Sequence, residues 1–205
     1  NSLKVLVEKL KNNKSIGAAS LKIKYYYKPN IIQYAGSTAI NTLTLRNRHL
    51  GNGIEDNGQF DNEHYTNYAH GAAMIFRKTI IKRVGKMPDI YFLYYEEMDW
   101  CEKIKSAGFK IRYIPSSVVY HKESMSTGKD SPLKIYYLNR NRILYARRNL
   151  KGLQLLTSIL YLVLISIPKN TISFLGDLKK LKAYYQSIIW NLTNKININY
   201  KPYSL

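Results

Sequence analysis

The spacing of apolar residues predicts alternating helices and strands from residue 1 to about residue 128. The first helix has its apolar residues at positions 3, 6, 7 and 10, behind Ser2 as its N-cap. The later predicted elements are a strand at 16–23, looped strands up to residue 63, a strand at 72–76, helices at 79–84 and 96–107, and two short strands within 110–121 that are interrupted at Pro115. This alternation indicates an α/β domain.

Residues 129–205 have a helical pattern instead. Ser131-Pro132 combines an N-cap residue with proline at the first helical position. An apolar run at 153–168 lies between Lys151 and Lys169 and is shorter than the roughly 20 residues that cross a bilayer, so it predicts an interfacial or re-entrant helix. Residues 171–194 predict an amphipathic helix. We expect both to lie on an anionic membrane surface; a helical hairpin that closes the α/β domain is the alternative.

Three carboxylates, Glu96, Glu97 and Asp99, fill the first turn of the predicted helix 96–107. The helix dipole favours acids there by about 0.3–1 kcal/mol each, although one or two would suffice. Glu96 and Asp99 are spaced to share a face, whereas Glu97 is expected to point toward Cys101. One carboxylate is therefore expected to face a cleft walled by the aromatic run at 90–95. The alternative is an ordinary helix N-terminus rich in acids.

His121 ends the last predicted strand, just before a polar loop at 122–129. A histidine in this position is a candidate metal ligand or a group that titrates near neutral pH. No other ligand type lies at a fixed local spacing from it, so an ordinary loop histidine is the alternative.

Composition narrows the class of protein. The chain has 205 residues, a formal net charge of +19 and one cysteine. Cys101 therefore forms no internal disulfide, and we predict that it is a buried small residue. The charge suggests nucleic acid as a partner, but no groove-reading motif is present, and an excess of Lys, Asn, Ile and Tyr is typical of an AT-rich genome. We therefore expect no nucleic-acid partner.

Six ordered motifs resemble the C-terminal half of family 2 glycosyltransferases of the GT-A type, the bacterial enzymes that build rhamnose-containing and other cell-surface polysaccharides. The motif at 91–101, YFLYYEEMDWC, is similar to the family's FLYYEDVDWC. The other motifs, in chain order, are GAAMIFR at 71–77, VGKMPD at 84–89, AGFK at 107–110 with YIP at 113–115, VYH at 119–121 and YLNRNR at 137–142. Several motifs in the family's order are more specific than any one alone.

The resemblance implies inverting transfer of a sugar from a nucleotide-sugar donor to a growing polysaccharide or a lipid-linked acceptor. The family's general base is an aspartate at the position of Glu97, with Glu96 as the second candidate and Asp99 in a supporting or acceptor-binding role. Glutamate adds a methylene, which extends the carboxylate's reach. The substrate-binding candidates are Gly71, Ala72, Tyr94, Tyr95, Trp100, Arg140 and Arg142. For the two arginines, phosphate contact and a solvated helix face are equally open interpretations.

The family's histidine at the position of His121 helps to hold a divalent metal, Mg or Mn, together with a DxD motif. No Asp-x-Asp triplet occurs in these residues, so we expect the chain to begin inside the fold, after the nucleotide-binding half. The implied location is the cytoplasmic face of the inner membrane, as a peripheral protein. Two alternatives remain: a non-catalytic basic module that binds anionic membrane or RNA, and a degenerate transferase.

Overall fold

The computed structural model describes residues 2–122 and 131–194, apart from the side chains of Ser2 and Val5. The strands are β1 (Ile16–Tyr25), β2 (Lys28–Tyr34), β3 (His64–Thr66), β4 (Met74–Phe76) and β5 (Lys110–His121). The helices are α1 (Ser2–Asn12), α2 (Lys78–Val84), α3 (Glu96–Ser106), α4 (Pro132–Asn149), α5 (Gly152–Tyr161), α6 (Ile167–Phe174) and α7 (Leu178–Thr193). The expected α/β character is confirmed, and α1 begins at Ser2, the residue predicted as its N-cap.

β1 is the central strand of a five-stranded mixed sheet. The main order is β2-β1-β5-β3, and β4 pairs with β1 as well. β1 runs parallel to β5, from Ile16 opposite Lys110 to Tyr25 opposite His121, while its pairings with β2 and β4 are antiparallel. The uninterrupted burial of β1 from Ile16 to Ile23 is typical of a strand covered on both faces.

β5 is one continuous strand, which corrects the prediction of two strands separated at Pro115. Ile114 pairs with Leu21, and the next pair is Val118 with Lys22, so three residues on β5 lie between neighbouring positions of β1. A bulge of this kind accommodates a proline, which has no N–H to donate to the ladder. The strand therefore continues past Pro115 and brings His121 opposite Tyr25, which pairs on its other side with Lys28 at the start of β2.

Helices cover both faces of the sheet. Leu6 and Leu10 of α1 pack on one face, in a cluster that includes Ile16 and Ala19. On the other face the main core contains Ile80 from α2 together with Trp100, Cys101 and Ile104 from α3. Cys101 is fully buried, as predicted. This packing fixes α3, whose N-terminus carries the acidic motif.

The helices after residue 130 pack on this α/β core. Ser131 caps α4 as predicted, since its hydroxyl accepts a hydrogen bond from the Lys134 amide at 3.2 Å. Leu144 and Tyr145 of α4 form a buried cluster with aromatic residues before α3. The predicted helix at 171–194 is divided: α6 ends at Phe174, and α7 begins after Asp177, whose carboxylate caps it. The predicted domain boundary at 128/129 lies outside the described residues.

One other boundary differs from the predictions. The small residues Gly71–Ala73 form a 3₁₀ turn, so the strand predicted at 72–76 begins only at Met74. His70 precedes this turn, and its ring nitrogen accepts the amide of Ala72, which stabilises the turn instead of a strand.

Candidate functional site

A cavity of about 460 Å³ opens beside the N-terminus of α3. Its walls come from β2, the loops around residues 47–49 and 68–72, the aromatic segment before α3, the end of β5 and the start of α4. Its lining residues are Gln33, Asn47, His49, Tyr68, His70, Gly71, Ala72, Leu93, Tyr94, Tyr95, Glu96, Glu97, Met98, His121, Lys134 and Leu138. The carboxylates and His121, which lie far apart in the sequence, therefore share one cavity.

The segment before α3 has a strained backbone. Phe92, Tyr94 and Tyr95 have φ angles of 61°, 67° and 72°. This left-handed region costs a residue with a side chain roughly 1 kcal/mol, and glycine is the usual occupant. Consecutive strain of this kind persists only where surrounding contacts impose it.

Asn141 of α4 supplies those contacts. Its amide nitrogen donates to the carbonyl oxygens of Tyr91, Leu93 and Tyr94, at 2.9, 2.5 and 2.9 Å. The hydroxyl of Tyr95 then donates to the Leu45 carbonyl at 2.7 Å. These bonds set the direction in which the chain enters α3 and therefore the direction of its first two carboxyl groups.

Glu96 and Glu97 both line the cavity, and their carboxyl groups lie close enough to influence each other's ionisation. Two neighbouring carboxyl groups in a buried site do not both ionise readily. Burial, followed by the charge of Glu96, raises the pKa of Glu97 to about 7, while burial also raises the pKa of Glu96. The pair therefore carries a proton that it can exchange near neutral pH.

Each carboxyl of the pair has an unsatisfied oxygen. Among the described atoms, Oε2 of Glu96 and Oε2 of Glu97 are inaccessible to solvent and have no hydrogen-bond partner. The backbone amide of Gly71 bonds to the Glu97 carboxyl and stabilises its charged form. The unbonded oxygen of Glu97 can accept a further hydrogen bond, and because it is closed to solvent, a bound hydroxyl group would reach it only after the side chain turns toward the cavity.

Histidines form another part of the cavity wall. The ring of His70 lies 5.3 Å from that of His49 and 5.9 Å from that of His121. Burial, with the neighbouring His49 and His121, lowers the pKa of His70 to about 3. His70 is therefore neutral at physiological pH, and because its Nδ1 accepts the Ala72 amide, its proton is on Nε2.

His121 is oriented by Gln33. Nδ1 of His121 lies 2.9 Å from Oε1 of Gln33, a buried side chain. An amide oxygen accepts only, so Nδ1 donates in this bond, and Nε2 is the ring nitrogen left for a ligand. Within residues 2–122 and 131–194 no group of three metal-ligating side chains is assembled. His121 thus has the form of a ligand, but the described residues do not complete a metal site.

The structure brings most of the predicted site residues together. Those that line the cavity are Gly71, Ala72, Tyr94, Tyr95, Glu96, Glu97 and His121. The predicted orientation of the carboxylates is correct only in part: Glu97 lies near Cys101 and faces the cavity as expected, but Glu96 does not share a face with Asp99. Glu96 pairs with Glu97, and Asp99 points elsewhere, because both glutamates lie at the helix start, where the preceding loop sets their direction.

Asp99 lies outside the cavity lining and has a structural set of partners. It is fully buried and accepts bonds from Arg148 at 3.1 Å, from Asn149 at 2.7 Å and from Tyr91 at 3.2 Å. Lys103 of the same helix lies 3.5 Å away. A carboxylate surrounded in this way joins α3 to the end of α4, which fits the supporting role predicted for Asp99 and not the acceptor-binding role that was its alternative.

Trp100, Arg140 and Arg142 also lie outside the cavity lining, contrary to prediction. Trp100 is buried and donates its indole N–H to the Gly85 carbonyl at 2.9 Å. Arg140 donates to the carbonyls before α3 and stacks on Trp190. Arg142 is buried and donates to the Ser166 hydroxyl at 2.7 Å. Neither arginine is a solvated surface residue; each connects α4 to another element.

Sequence reasoning missed several cavity residues: Gln33, Asn47, His49, Tyr68 and His70. His70 could have been proposed from the sequence, because it directly precedes the small-residue motif at 71–77. The others come from loops and strand ends whose convergence depends on the sheet order.

Comparison with known proteins gives partial matches. Over 60 residues the chain is 33% identical to the N-acetylglucosaminyl-diphospho-decaprenol L-rhamnosyltransferase of Mycobacterium tuberculosis, which covers 29% of this chain and 20% of that protein. Over 78 residues it is 26% identical to the low-salt glycan biosynthesis hexosyltransferase Agl10 of Haloferax volcanii, covering 38% of this chain and 25% of that protein. The chain is related to glycosyltransferases.

The extent of this relationship is limited. No family model matches the chain. The aligned segments span between a fifth and a quarter of the two relatives. The relatives' names imply, at a coarse level, a nucleotide-sugar donor and a glycan or lipid-linked acceptor.

Proposed function

We propose that this chain provides the acceptor side of an inverting, GT-A-type glycosyltransferase of family 2. Its donor is a nucleotide sugar, and its acceptor is a growing cell-surface polysaccharide or a lipid-linked saccharide. The observation that carries this proposal is the protonatable Glu96–Glu97 pair, with its unbonded oxygens, in a cavity that has room for a sugar ring.

In the proposed reaction Glu97 is the general base. An acceptor hydroxyl donates its proton to the Glu97 carboxylate while the hydroxyl oxygen forms a bond to the anomeric carbon of the donor. The bond from that carbon to the diphosphate oxygen breaks, and the nucleoside diphosphate leaves with the electron pair. A base with a pKa of about 7 is well matched to this work near neutral pH.

The neighbouring groups would position the acceptor. Tyr94 and Tyr95 offer aromatic surface at the cavity wall, to which the apolar face of a sugar ring can pack. His70, neutral with a proton on Nε2, is a hydrogen-bond donor that adds no charge beside Glu97. Glu97 holds a proton below about pH 7 and would act as the base once it has lost that proton.

The expected divalent metal, Mg or Mn, remains a prediction. His121 would contribute Nε2, and a cation there would stabilise the leaving diphosphate. Because the described residues do not complete a ligand set, no step of the proposed reaction is assigned to a metal.

The test is Glu97→Gln in the complete gene product. Removing a general base typically costs about 10²–10⁴-fold in rate, so we expect transfer from a radiolabelled nucleotide sugar to fall by at least 10²-fold. Donor binding, measured by calorimetry, should be almost unchanged. Glu102→Gln, on the same helix and outside the cavity lining, is the matched control and should retain full activity.

Retained turnover in Glu97→Gln would exclude Glu97 as the base. If substitutions of Glu97 and His121 left the cellular function intact while lysine substitutions between 169 and 182 abolished it, the non-catalytic basic module would be the correct reading.

A further inference from the structure

The helical stretch Gly152–Phe174, here called the apolar helix, exposes a long apolar surface. It has no charged residue before Lys169, and only 17% of its most apolar stretch of 18 residues is buried in the molecule. The large apolar side chains that it exposes are Leu153, Leu156, Ile159, Leu160, Val163, Leu164, Ile165 and Ile172. Soluble monomers rarely expose a continuous apolar patch larger than a few hundred Å². This surface is therefore expected to be covered by another molecule or by lipid.

The opposite face of the apolar helix is fixed to the protein. Ser158, Leu162 and Ser166 are buried and follow one another at intervals of four residues. In a regular α-helix this spacing drifts by about 40° at each step. The wider turn of the π-helical segment Leu162–Ser166 offsets that drift, so the buried residues stay on one side.

This attachment includes the middle of the apolar helix. Leu162 packs with Leu45, Ala146 and Leu150, and Ser166 accepts a hydrogen bond from Arg142. If the helix crossed a bilayer, α4 and the loop around Leu45 would enter the hydrocarbon layer with it. Each charged side chain at that depth costs at least about 2.5–3.5 kcal/mol, and α4 alone contains four arginines. The packing therefore opposes a transmembrane orientation.

Exposed basic residues flank the uncharged run in the sequence. Lys151 and Lys169 lie on either side of the uncharged run, and Lys179 and Lys182 follow on α7; all four are exposed. Lysines near an anionic bilayer contribute about 1 kcal/mol each, and the chain carries a formal charge of +19. We infer that the apolar helix lies in the plane of an anionic lipid bilayer, with its leucine-rich face among the acyl chains and its lysines at the headgroups.

The test is flotation of the full chain with lipid vesicles. The chain should float with vesicles that contain phosphatidylglycerol, and less with pure phosphatidylcholine or when salt is raised well above about 0.1 M. The triple variant Leu156→Gln, Leu160→Gln, Leu164→Gln should lose at least tenfold in binding. Its matched control is Leu3→Gln, Leu43→Gln, Ile54→Gln, which changes exposed apolar residues elsewhere and should bind normally.

Orientation is tested with Leu164→Trp. Lipids brominated near the headgroup should quench the added fluorescence more than lipids brominated near the bilayer centre, and alkaline carbonate should release the chain from the vesicles. Deep quenching with carbonate resistance would overturn the in-plane orientation. Equal flotation of the triple variant, or a lipid-free dimer that only this variant dissociates, would overturn the lipid partner. None of these measurements depends on sugar transfer.

Discussion

At the scale of single residues, Glu97 has two properties that oppose each other. Its cavity position favours proton acceptance from a ligand, but burial and Glu96 disfavour its charge. The folded protein therefore binds a proton on Glu97 more tightly than the unfolded chain does. The resulting contribution to the free energy of unfolding is complete below the pKa of this group in the unfolded chain, roughly 4.3. That contribution is lost as the pH rises through about 7.

The first prediction is that Glu97→Gln stabilises the protein at alkaline pH. Glutamine mimics the protonated carboxyl and never ionises, so the variant should exceed the wild type at pH 8.5 by on the order of 3 kcal/mol. Near pH 4 the two should be similar. Urea unfolding at both pH values measures the difference in free energy of unfolding. A stabilisation by Glu97→Gln that is the same at both pH values would contradict a raised pKa for Glu97.

A second prediction concerns the rate. If Glu97 must be deprotonated to act, turnover of the complete enzyme should rise as the pH increases through about 7 and then level off. A rate profile from pH 5 to 9, in roughly unit steps, measures this. A rate that does not change across that range would show that deprotonation of Glu97 does not control turnover.

The sequence was informative about Glu97 and His121 because both lie in short local motifs. It did not reveal the Glu96–Glu97 contact, since that depends on three left-handed residues held by Asn141. Gln33, which orients His121, lies 88 positions away and has no local signature.

At the scale of elements, Asp99 joins α3 to α4. A third prediction follows: Asp99→Asn should destabilise the protein by about 3–5 kcal/mol, because Arg148 would be left buried without a carboxylate. Thermal and urea unfolding measure this cost. The control Glu102→Gln removes a partly exposed ion pair with Lys105 while its amide oxygen can still accept from Tyr145, and it should cost at most about 1 kcal/mol. Equal costs in the two variants would refute the structural role of Asp99.

Helix and strand positions were largely predictable wherever the apolar spacing was regular, as in α1, β1 and α3. The prediction failed at Pro115, because local sequence does not show that β1 pairs on both sides of the bulge. It failed again at 71–73, where the side chain of His70 stabilises a turn. In both places contacts from elsewhere outweigh local preference.

At the scale of the whole molecule, the excess of positive charge opposes compaction. We therefore predict that moderate NaCl stabilises the folded chain, because screening reduces this repulsion more than it weakens the few exposed ion pairs. The midpoint of thermal unfolding should rise by a few degrees between low salt and about 0.5 M. A falling midpoint would show that attractive pairs dominate instead.

The parallel pairing of β1 with β5 also has a consequence for how the chain folds. Ile16 must find Lys110, so the central ladder closes only after a long intervening segment has been synthesised. Pairings of such high contact order form slowly. Until β5 arrives, the apolar edge of β1 is open to other chains, and misassembly during synthesis is the hazard that this topology brings. A lower growth temperature, which weakens hydrophobic association between chains, should therefore improve the yield of soluble protein.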